Sequence, residues 1–65
     1  MPEIIDVQDW EPVTRRTAIY YIRLKSEEDL LRVAKGFDFP VVFRKNGELL
    51  FIKGITAYWY KPSTW

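Results

Sequence analysis

The 65-residue chain predicts a small α+β domain: an antiparallel sheet of three to five strands with one short helix packed on one face, in the order β-β-α-β-β. Three observations predict it. Thr17 to Lys25 (TAIYYIRLK) is rich in β-branched and aromatic residues and contains no Gly or Pro, as a strand requires. Ser26 followed by Glu27, Glu28 and Asp29 carries the start signal of a helix. Asn46-Gly47, between two apolar runs, is the strongest short hairpin signal, because both residues tolerate the positive φ of a two-residue turn.

Taken in order, Ile4 to Val7 is a short candidate edge strand, and Asp9 to Arg16 reads as a loop made irregular by Pro12. In the Thr17–Lys25 strand, Ala18, Tyr20, Ile22 and Leu24 form a wholly apolar or aromatic face. The alternate positions Thr17, Ile19, Tyr21, Arg23 and Lys25 turn polar toward the end. The helix that Ser26 caps buries Leu30, Val33, Ala34 and Phe37, with Leu31 beside them, and Gly36 offers it a left-handed stop. Val41–Lys45 and Glu48–Lys53 form the hairpin, and Ile55–Lys61 is again strand-like. A single glycine separates these last two runs. The reading favours one strand bent at a Gly54 bulge over a second tight turn. Length allows one domain, with residues 1–16 as an acidic arm, edge strand and loop, and residues 17–65 as a β-α-β-β core.

Charge is segregated although the net value is only +1. Residues 1–11 hold Glu3, Asp6, Asp9 and Glu11 with no base, and residues 12–25 hold Arg15, Arg16, Arg23 and Lys25 with no acid. The expectation is that the acidic arm lies against the basic segment, within one chain or across a dimer. With no His and no Cys there is no triad, thiol nucleophile or ordinary zinc site, and disulfides are excluded. Glu27, Glu28 and Asp29 are the only local acidic cluster, and a helix N-terminus accounts for them. Glycines at 36, 47 and 54 fit neither phosphate-loop spacing. The expectation is therefore a non-enzyme with no catalytic residues, no metal site and no cofactor. The absence of Cys fits a cytoplasmic location, no apolar run is long enough to span a membrane, and the scarcity of Asn, Gln and Met fits a thermophile.

What the sequence has in excess is aromatic surface: three Trp, four Tyr and four Phe. The leading functional expectation is a small interaction or assembly domain, most simply a homo-oligomer with a dimer favoured, or a binder of another protein. Trp10, Tyr58, Trp59, Tyr60 and Trp65 are the candidate interface residues, since Trp and Tyr dominate binding hot spots. Strand alternation sets Trp59 against Tyr58 and Tyr60, so one of the two sets belongs to the core. The alternative is a weak nucleic-acid-binding domain using a basic, aromatic sheet face, with Arg23, Lys25, Arg44 and Lys53 as the contacts.

Lys35-Gly36-Phe37-Asp38-Phe39-Pro40-Val41-Val42 resembles the RNP1 octamer of the RNA-recognition motif. The resemblance implies a central strand on which Phe37 and Phe39 stack on bases and Lys35 meets phosphate. Asp38, Pro40 and Val42 depart from that pattern, and Phe37 and Phe39 are better explained as core residues beneath the helix.

Overall fold

The computed structural model describes residues 2–15 and 19–62. Seven elements follow one another: β1 (Glu3–Asp6), α1 (Glu11–Thr14), β2 (Tyr20–Leu24), α2 (Glu27–Gly36), β3 (Val41–Lys45), β4 (Glu48–Lys53) and β5 (Thr56–Tyr60). The fold is α+β, built on one five-stranded sheet in the order β1-β3-β4-β5-β2.

The sheet is mixed, which corrects the antiparallel expectation. β1 pairs with β3 in parallel (Ile4 opposite Val42), and β2 pairs with β5 in parallel (Ile22 opposite Tyr58). Only the β3-β4-β5 meander is antiparallel. The reason lies in the connections. Tight turns force reversal and occur only at the two hairpins, whereas the two long connections, each carrying a helix, let the chain cross the sheet and return in the same direction. β1 and β2 thereby become the two edges, although they are neighbours in sequence.

Local chemistry explains most element boundaries. Ser26 Oγ accepts a hydrogen bond from the Asp29 N–H at 3.1 Å, capping α2 as expected. The C-terminus differs from expectation. Gly36 is the last helical residue, and the left-handed residue is Asp38 at φ 54°. The Asp38 N–H donates to the Lys35 carbonyl and the Phe39 N–H to the Ala34 carbonyl, at 3.0 and 2.8 Å, which is the Schellman pattern. A short polar side chain tolerates this conformation, so Gly36 is not needed for it.

The hairpin has the predicted bounds, with Asn46 at φ 50° and Gly47 at φ 83° as its two turn residues. Gly54 is no bulge. Lys53 pairs with Thr56, leaving Gly54-Ile55 as a second two-residue turn with positive φ at Gly54. Glycine at the first central position is what the II′ hairpin turn needs to match strand twist. Asp9–Arg16 is not all loop: Pro12 falls in the first turn of α1, where a missing N–H costs nothing.

The core lies between α2 and one sheet face. Leu30 and Ala34 of the helix are fully enclosed against Val42, Leu49 and Phe51, with Ile4, Leu24, Phe39, Tyr58 and Tyr60 packed around them. Phe51 stacks on Tyr58 with ring centroids 4.8 Å apart, and Phe39 lies 5.1 Å from Phe51. Phe39 is thus a core residue as expected, whereas Phe37 is 39% exposed and contacts Tyr58 from the sheet margin at 5.4 Å. The octamer resembling RNP1 runs through the end of α2, its terminating turn and the start of β3, and so is not laid out along a strand.

Candidate functional site

Alternation along the sheet sorts the aromatic residues. The row Asp6, Arg44, Leu49, Tyr60 and Leu24 runs across the face that carries α2. The row Ile5, Phe43, Leu50, Trp59 and Arg23 runs across the opposite face. Tyr58 and Tyr60 therefore pack on the core beneath α2, and Trp59 points the other way. Trp65 lies outside the described residues, as do Arg16 of the expected basic segment and Thr17 and Ala18 of the expected strand.

On the second face, the segment between β1 and β2 brings Trp10 and Thr14 over Leu50 and Trp59. Together with Tyr21, Lys45, Glu48 and Lys61 they enclose an open cleft of about 300 Å³. The Trp59 indole N–H donates to Glu48 Oε1 at 3.2 Å, Lys61 Nζ sits 4.5 Å over the Trp59 ring, and Tyr21 meets that ring edge-on at 6.2 Å. Among the described candidate interface residues, Trp10 and Trp59, far apart in sequence, share one site.

The four candidate nucleic-acid contacts are not gathered together. Arg44 faces the helix side and is held by Asp6 through two hydrogen bonds, Nε to Oδ1 at 2.6 Å and Nη2 to Oδ2 at 3.0 Å. That guanidinium holds the Asp6 carboxyl below the usual carboxylate range, and the Arg44 pKa rises in turn. Lys53 lies 4.9 Å over the Phe37 ring near the helix C-terminus. Arg23 and Lys25 alone remain together, joined by Lys61 at the end of β2. Glu3 and Asp6 of β1 and Arg23 of β2, part of the expected contact between acidic arm and basic segment, do not meet within the chain, because four strand spacings of ~4.8 Å separate the two edges. Asp6 instead takes a base from β3.

The feature that sequence reasoning missed is the outer edge of β2. Ile19, Tyr20, Tyr21 and Ile22 are 68, 61, 54 and 44% exposed, and Ile55, whose carbonyl accepts from the Ile19 and Tyr20 N–H groups, is 49% exposed. Its signal was in the sequence: a strand apolar on both faces suits a central position covered on both sides, and this one lies at an edge. Among the described residues, no group of three His, Cys, Asp or Glu could hold a metal, and no helix is long and apolar enough to cross a membrane. Comparison with protein-family models, curated proteins and solved structures finds no match.

Proposed function

We propose that this chain is a non-enzymatic interaction domain that self-associates, and that the exposed edge of β2 is its principal contact surface. One observation carries the reading. Four consecutive large apolar residues, Ile19 to Ile22, stand exposed on an edge strand with no charge or proline among them. Edge strands left to face water are normally guarded by just such groups, because their free N–H and C=O groups recruit another strand. A second support is the size of the core. Seven apolar residues are buried among those described, and a chain of this length with no disulfide commonly draws further stability from association. Light scattering over a range of protein concentrations tests the proposal. A mass at least twice 7.8 kDa is expected, and a monomer at every concentration refutes it.

The cleft supports a second reading, weak binding of single-stranded nucleic acid, through aromatic rings flanked by Lys45 and Lys61. Quenching of Trp emission by oligonucleotides at low salt, lost steeply as salt rises, is its expected sign. An unchanged spectrum excludes it.

A further inference from the structure

We propose that two copies pair their β2 strands antiparallel about a twofold axis at Tyr21, making one continuous ten-stranded sheet with β1 at both ends. This rests on the self-association reading and adds the partner surface, the strand direction and the register.

Backbone direction supplies the first constraint. The Tyr20 N–H donates to the Ile55 carbonyl at 3.1 Å, and Tyr20 is opposite Thr56 in the parallel ladder. Alternation then turns the backbone groups of Tyr20, Ile22 and Leu24 toward β5, and those of Tyr21 and Arg23 outward. An added strand must bond to Tyr21.

Self-complementarity supplies the second. With the axis at Tyr21, the two Tyr21 residues form the central hydrogen-bonded pair on the second face. Each Tyr20 faces Ile22 of the second copy on the helix face, so the exposed apolar side chains cover one another. Each Arg23 faces Ile19, and the two Arg23 residues stand about 14 Å apart, beyond a Debye length of about 8–10 Å. An axis at Arg23 sets the two guanidinium groups directly opposite each other. One at Ile22 matches Tyr20 to the already half-buried Leu24 and sets Lys25 against Ile19.

The two edges differ in the third respect. β1 carries Glu3 and Asp6, charges that discourage strand addition, whereas Ile19 to Ile22 at the β2 edge carry none. A twofold dimer covers the apolar edge and leaves the charged one in water. Closed symmetry also limits growth, which a head-to-tail contact of β2 with β1 does not.

The test uses the full chain. Tyr21→Pro removes an outward N–H and no bond to β5, so the domain stays folded while the seam loses its central pair. Tyr20→Lys puts charge into the seam at a residue already mostly exposed. Both variants are expected to halve the mass of a dimeric parent while keeping its far-ultraviolet circular dichroism; should Tyr21→Pro unfold, Tyr20→Lys decides. Since the chain has no Cys, register is read by single substitutions: Tyr21→Cys is expected to oxidise to a cross-linked dimer and Ile22→Cys to do so far more slowly. A parent dimer that survives both mass-test variants overturns the proposed surface but not self-association. Faster cross-linking through Ile22→Cys overturns the register, and mass that climbs without limit overturns the twofold in favour of a β2-to-β1 contact. A monomeric parent overturns both this proposal and the reading beneath it.

Discussion

At the scale of single residues, the backbone is specified by positions that accept positive φ. Asn46, Gly47 and Gly54 shape the two hairpin turns, and Asp38 ends the helix. Gly47 shows which physical effect governs. A Cβ there would meet Pro62 Cγ at 3.6 Å, an ordinary contact, so a larger side chain is opposed by its φ of 83° and not by space. Gly47→Ala is expected to cost about 1–2 kcal/mol, read as a lower urea midpoint with an unchanged slope. The same scale explains why aromatic count alone was a poor guide to surface. Tyr58 and Tyr21 are the same residue type on adjacent strands, yet Tyr58 stacks on Phe51 beneath α2 and Tyr21 is more than half exposed. Position in the sheet separates them.

At the scale of elements, the elements with complete local signals were readable and those without were not. α2 announces its start through Ser26 and its buried stripe through Leu30 and Ala34, and the β3-β4 hairpin announces itself through Asn46-Gly47. The attachment of β1 was not readable, because it rests on parallel backbone pairing with β3 and on Ile4 packing against the core, partners some 38 positions away in sequence. The pair of Asp6 and Arg44 has a defined pH dependence. The hydrogen bonds from Arg44 lower the Asp6 pKa in the folded state, so its contribution is present above the ordinary carboxylate range and is lost as pH falls through the lowered value. Arg44 remains charged throughout, its own pKa being raised. Both groups are solvent-facing, so the effect is expected to be local. The Val7 N–H, bonded to the Arg44 carbonyl at 2.8 Å, should lose hydrogen-exchange protection on acidification while core amides of β4 keep theirs. In Asp6→Asn the acid-dependent part of that loss should be absent.

At the scale of the whole molecule, α2 lies over one face of the five-stranded sheet, and among the described residues the segment between β1 and β2 is what comes over the other. The segment holding Trp10 and α1 comes over the middle of that face at Leu50 and Trp59, and the β2 edge remains open. If that edge is a dimer seam, folding and association are linked, and the melting temperature should rise with protein concentration in the parent chain. In Tyr20→Lys it should be independent of concentration. A parent melting temperature that is flat over a hundredfold range contradicts the linkage.

α2 and its N-cap, the β3-β4 hairpin and its bounds, the opposition of Trp59 to Tyr58 and Tyr60, and the lack of His and Cys are all legible along the chain. Each of these is set by residues a few positions apart, through capping bonds, turn dihedrals, strand alternation or composition. The strand order, the parallel pairing of β1 with β3 and of β2 with β5, the union of Trp10 with Trp59, and the exposure of Ile19 to Ile22 emerge from the folded arrangement alone. A connection longer than a tight turn leaves the direction and place of the next strand free. Those are settled by how α2 and the Trp10 segment cover opposite faces of the sheet, an energy shared among residues that no local pattern links.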